Sequence, residues 1–112
     1  MKFRFLLHIF IFLSVHSYAE SIVSDEFRNI KVAVHRAIES PAVTDSLYLA
    51  LKSGNTDNPL IVAYIGTLEA LKAKHSWNPY NKIRYVSLSQ KTMKIAVERD
   101  PNNLEIRFMR FT

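Results

Sequence analysis

The 112-residue chain contains no cysteine. That excludes disulfides, thiolate metal sites and a lipid-bearing cysteine behind a leader, and it leaves packing or a partner as the sources of stability. Glycine is scarce as well, with only Gly54 and Gly66, and there are four prolines, each standing where a helix should begin or end. No segment alternates with period two, so strands are not expected. Charge of one sign does not dominate: of the formal +5, Lys2 and Arg4 supply two, leaving +3 for residues 20–112. A nucleic-acid footprint needs clustering as well as sign, so nucleic acid is not an expected partner. The longest apolar run, residues 5–15, falls short of the roughly 20 residues that cross a bilayer.

That run has the parts of a cleavable secretory signal in order. Lys2 and Arg4 make a positive start, residues 5–15 are apolar except for His8 and Ser14, and Ser17-Tyr18-Ala19 puts small residues at the two positions that matter before Glu20. Residues 1–19 therefore read as a signal peptide cleaved after Ala19, giving an exported protein, periplasmic or extracellular, with no stable membrane span after cleavage. Residues 20–112 are enough for one domain with a modest core.

Helical periodicity runs through that domain. A first helix is expected from Asp25 to Glu39, capped by Ser24, with Phe27, Ile30, Val34, Ala37 and Ile38 as its apolar stripe. Ser40-Pro41 pairs a cap with a first-turn proline and opens a second helix to Lys52 through Val43, Leu47, Ala50 and Leu51. Gly54 is expected to end it in the left-handed conformation. Asn58-Pro59 repeats the device for a helix from Leu60 to Lys74 that is apolar on most sides in its first two turns, hence central. Within it, Gly66 is read as a point of close approach. Asn78-Pro79 launches a fourth helix to Arg99, its inward stripe being Tyr85, Leu88, Thr92, Ile95 and Ala96, with Val86, Met93 and Val97 alongside. Asn102 or Asn103 caps a last segment from Leu104 to Phe111. The fold class expected is all-α: four to five helices in antiparallel hairpins.

The stretch Ala96-Val97-Glu98-Arg99-Asp100-Pro101-Asn102-Asn103, leading from one helix into another, resembles the junction between tetratricopeptide repeats. Ala96 and Pro101 match the small residue and the proline of that junction, and Ala63, Tyr64 and Gly66 suit the first helix of a repeat. The resemblance covers residues 58–112. It lacks the repeat's early tryptophan, and Pro59 and Pro101 are 42 residues apart, against the repeat's period of about 34. The segment from Leu71 to Pro79 is also similar to the helix connection of exported helical-repeat proteins of Bacteroidetes type. Together these likenesses imply a tetratricopeptide-like interaction scaffold in the envelope or outside the cell, with no particular chemistry.

No catalytic, cofactor or metal set stands out. His35 has only Glu39 at helical spacing and His75 has no such neighbour, which is half a metal site at best. The serines lack a nucleophile elbow, and no pair of carboxylates is marked for acid and base work. Lys72, Lys74, His75, Lys82 and Arg84 interleave with Trp77, Tyr80 and Tyr85, a mixture that grips phosphates and stacks bases in some proteins; the plainer reading has the cations serving a helix end. Phe108-Met109-Arg110-Phe111 spells a neuropeptide core, but Thr112 stands where amidation needs glycine.

The expected function is a non-catalytic scaffold or protein-interaction module, working through a protein partner or self-association. The candidate contact residues are Ile106, Phe108, Met109 and Phe111 on the terminal segment, with Trp77 and Tyr80 as aromatic anchors at a second edge. The alternatives are a small exported enzyme whose residues converge only in the fold, for which a pocket joining His35 or His75 to a carboxylate would speak, and the N-terminal fragment of a longer repeat protein.

Overall fold

A computed structural model describes residues 26–111, without the side chain of Phe111. The signal peptide, Ser24 and Asp25 lie outside the described residues. The chain divides into two units, residues 1–32 and 33–112. Of the first, residues 26–32 are described; they are helical, and Ile30 is buried.

The described residues form five helices and no strand: α1 (26–37), α2 (Pro41–Ser53), α3 (Pro59–His75), α4 (Pro79–Arg99) and α5 (Leu104–Phe111). The chain is all-α, as expected. The caps explain the boundaries. Ser40 Oγ accepts from Val43 N at 3.2 Å, Asn58 Oδ1 from Leu60 N at 2.9 Å, and Asn78 Oδ1 from Tyr80 N at 2.9 Å, each ahead of a first-turn proline whose missing N–H needs no partner. For α5 the cap is Asn103, whose Oδ1 accepts from Ile106 N at 3.2 Å. Two endings differ from expectation. The helix α1 stops at 37, and residues 38–40 close on it with i to i−3 bonds in place of a further helical turn. Gly54 ends α2 with φ −93°, outside the left-handed region, its N–H donating to Leu51 O.

In the second unit α3 is the axis. Its residues from Ile61 to Ile65, together with Leu68, are buried, as an all-round apolar helix requires. Directions follow from the cross-links. Tyr48 meets Glu69 and Asp45 meets Lys72, so α2 runs antiparallel to α3. Lys82 reaches Ala73 O while Arg99 reaches Thr56 O, so α4 is antiparallel as well. Tyr64 bonds Glu105 and Thr67 bonds Met109, so α5 lies parallel to α3.

The apolar core joins α3, α4 and α5: Val62, Ala63, Met93, Ala96 and Ile106, with Leu60, Val97 and Met109 packed against it. Close approach of α3 and α4 rests on small groups. An added Cβ at Gly66 would lie 3.1 Å from Met93 Cγ, and Ser89 Oγ donates to Gly66 O at 2.7 Å. It is thus a side chain, Met93, that fills the space Gly66 leaves. The inward line of α4 is accordingly Tyr85, Ser89, Met93 and Ala96, while Val86 and Ile95, expected inside or alongside, are exposed. The same shift occurs in α2, where Thr44 and Tyr48 are buried and Ala50 is not.

Candidate functional site

The residues expected to make contacts separate into three groups. Ile106 is fully buried in the core beneath α3 and α4, so α5 folds back and that side chain is withdrawn from any partner. Met109 is half-buried against the same core, its sulfur 3.9 Å from the Thr67 hydroxyl. Phe108, on the opposite side of α5, is 70 % exposed; the side chain of Phe111 lies outside the described residues. Trp77 and Tyr80, at the turn between α3 and α4, are 90 % and 73 % exposed.

Ile83 extends that edge at 72 % exposed, and Val86 continues it. Tyr80, Ile83 and Val86 fall at steps of three along α4, hence on neighbouring positions of one outward face. Ile83 and Val86 also border a shallow depression with Lys82, Ser87 and Gln90. Periodicity reads α4 as one inward stripe and treats leftover apolar residues as alongside it. Ile83 was missed for that reason.

The cations around this edge are engaged with the protein itself. Lys82 Nζ lies 3.3 Å from both Ala73 O and Lys74 O, covering carbonyls at the negative end of α3. Lys74 Nζ donates to Ile38 O at 2.8 Å, and His75 Nε2 pairs with Ala37 O, also at 2.8 Å. Lys72 Nζ bonds Asp45 at 2.7 Å and sits between two rings, 5.1 Å from the centre of Tyr48 and 5.2 Å from that of Tyr85. Arg84 stands 5.4 Å from the Tyr85 ring.

Beneath Lys72 lies a polar cluster that the sequence reading did not identify. Glu69 is 2 % exposed and takes the Tyr48 hydroxyl on Oε2 at 3.0 Å, while Oε1 is buried with no partner. Burial and the adjacent carboxylate push the Tyr48 hydroxyl well above its ordinary range, and Tyr64, buried beside Glu105, is raised in the same way. One signal pointed here: a carboxylate inside a helix apolar on all sides has nowhere dry to go without a partner. Above the cluster a polar cavity of about 270 Å³ is lined by Thr44, Asp45, Lys72, His75, Asn81 and Tyr85, among others. It brings His75 and a carboxylate to one site. His35 is not part of it.

A larger trough, about 890 Å³, opens on the other side of α3. The end of α1 is tied to the end of α3 through Ala37 and Ile38, and α5 is tied to the earlier half of α3 through Glu105 and Met109. Between these clamps Ala70 is exposed and Leu71 half-buried. The walls are Val34, Ile38, Met93 and Met109, and the rim carries Lys91, Lys94 and Arg110.

Among the described residues no group of three or more metal-ligating side chains converges, and no helix is long and apolar enough to cross a membrane. No protein-family model, curated protein or solved structure matches the chain.

Proposed function

We propose that the chain is an exported, non-catalytic helical module that binds another protein through the aromatic edge at the turn between α3 and α4. The observation that carries this reading is the run Trp77, Tyr80 and Ile83, three large apolar side chains in succession, each more than two-thirds exposed. Burying one such side chain stabilises a complex by roughly 1.5–3 kcal/mol. Three of them suffice for useful affinity after ordering costs. On a lone chain the same surface is a liability. Because the neighbouring cations already hold carbonyls, a carboxylate and aromatic rings of the protein, the edge suits an apolar protein surface better than a phosphate backbone.

Export rests on the order of charge, apolar run and small residues in residues 1–19. The tetratricopeptide-like character of residues 58–112 belongs to the same proposal. Its support is the arrangement of α3, α4 and α5, with α5 parallel to α3, and the full burial of Ala63 and Ala96 where the three helices meet.

The polar cavity favours a second reading, a small enzyme using His75 and Asp45. Against it, His75 Nε2 is taken by Ala37 O, Asp45 by Lys72, and the Ser76 hydroxyl by Lys72 O, all within 2.8 Å. His75 fastens the end of α1 to α3 and Asp45 fastens α2 to α3, while Ser76 caps its own helix.

Site-specific photocrosslinking in the producing cell tests the first reading. A crosslinker at position 77 or 80 is expected to give one discrete adduct, abolished by Ile83→Glu, while one at Leu49, exposed on α2, gives none. No adduct from either edge position, or the same adducts from position 49, would sink it.

A further inference from the structure

The trough on α3 is a different surface from the aromatic edge, and its chemistry is specific. Its apolar lining is Ala70 and Leu71 from α3, Val34 and Ile38 from the end of α1 and the turn after it, Met93 from α4 and Met109 from α5, with Thr67, Ser87, Ser89 and Gln90 as uncharged polar neighbours. Among the described residues α2 and α4 flank α3, α5 bonds it at Tyr64 and Thr67, the end of α1 and the turn after it bond it at His75 and Lys74, and Ala70 between these points is exposed. The volume lies within the roughly 300–1,000 Å³ of small-molecule sites. Two methionines in the wall adapt to a flexible guest.

The rim decides what kind of guest. Lys91, Lys94 and Arg110 are the charged residues among the described lining, and no acidic side chain joins them. Lys94 has one loose contact, 4.0 Å to the exposed Glu98. Three cations beside an apolar floor complement a molecule with one apolar tail and one anionic head. We infer that the trough is a binding site for a single-chain anionic amphiphile, a free long-chain fatty acid. The tail lies over Ala70 and Leu71 between the methionines, and the carboxylate meets the Lys91, Lys94 and Arg110 rim.

The chain expressed in full, and purified as the host releases it, is titrated calorimetrically with dodecanoate below its micelle concentration, and separately with dodecyltrimethylammonium. The expected result is one dodecanoate per chain, weakened by salt, with the cationic surfactant bound at least about tenfold more weakly, since it meets three like charges. Two variants locate the site. Ala70→Trp fills the trough and is expected to abolish binding, with thermal unfolding unchanged because position 70 is exposed. Reversing Lys91, Lys94 and Arg110 to Glu should invert the preference between the two surfactants, a readout that loss of fold cannot mimic. Equal binding of both surfactants, binding of neither, or an Ala70→Trp chain that binds dodecanoate as before overturns the inference. Binding of neither is also what a trough already covered by the chain's own apolar N-terminal run, or by a second copy, would give. None of these outcomes bears on the Trp77 edge, whose crosslinks are read independently.

Discussion

The two sides of α3 are held by different physics. Toward α4 and α5 the contacts are mainly apolar and close, with Val62, Ala63, Met93, Ala96 and Ile106 in one cluster, Gly66 making room for Met93, and the Ser89–Gly66 and Tyr64–Glu105 hydrogen bonds beside them. Toward α2 the contacts are polar: Tyr48 to Glu69, Asp45 to Lys72, and the Lys72 ammonium against the Tyr48 ring. The apolar side gains from area removed from water and loses by cavities. Much of the polar side's hold depends on satisfied partners, and it loses when one is removed. Having both on one helix means that a substitution can distinguish them.

The largest expected effect is on the apolar side. Met93→Ala removes a buried side chain from the centre of the cluster and should cost about 2–5 kcal/mol, read by urea unfolding. If Gly66 and Ser89 let the helices close over the space, the loss will fall at the low end of that range.

On the polar side, Tyr48→Phe leaves Glu69 buried with neither oxygen bonded by a hydroxyl and should cost about 1–3 kcal/mol, although only one oxygen atom is deleted. A neutral result would mean that Glu69 turns out to solvent when released. The same contact has an alkaline signature. In the folded chain the Tyr48 and Tyr64 hydroxyls are raised above the ordinary tyrosine value of about 10, so their contribution to stability is complete below that pH and is lost as pH rises beyond it. Unfolding free energy measured from pH 8 upward should be flat with respect to these groups to about pH 10 and then decline. In Tyr48→Phe the decline should be shallower.

Of the contacts between α2 and α3, the smaller effect belongs to Asp45→Ala. Its partner Lys72 is mostly covered, but Asp45 is 63 % exposed, so the pair is screened and its removal should cost no more than about 1 kcal/mol, diminishing with salt. A loss as large as that of Tyr48→Phe would mean that Lys72, caught between the two rings, depends on Asp45 to stay there.

The same contrast explains what was legible in the sequence. The helix starts were, because Ser40-Pro41, Asn58-Pro59 and Asn78-Pro79 are local signals whose bonds form within three residues. The central position of α3 was, because an all-round apolar helix has one place to go. The inward faces of α2 and α4 were read correctly at Leu51, Tyr85 and Ala96 and one position off elsewhere, since periodicity counts apolar residues and these faces also use Thr44, Tyr48 and Ser89, polar groups buried by bonds to Ala37 O, Glu69 and Gly66 O. Gly54 ends a helix without a positive φ because a backbone bond to Leu51 O suffices. Of the contact residues, Trp77 and Tyr80 stand at an open edge, and Ile106 does not, because α5 has a parallel partner in α3 that no local pattern announces. The trough was invisible for a related reason: it is the gap between two clamps, formed by segments far apart in sequence.

The docking of α5 onto α3 and α4 underlies the core, the trough and the choice of contact edge. Ile106→Ala and Phe108→Ala test it most directly, because the two residues share one helix, two positions apart, with one fully buried and the other 70 % exposed. Thermal and urea unfolding should show a loss of about 2–5 kcal/mol for Ile106→Ala and within about 0.5 kcal/mol of none for Phe108→Ala. Equal small losses for both would contradict the account, since α5 would then stand away from the bundle with its apolar face open to a partner.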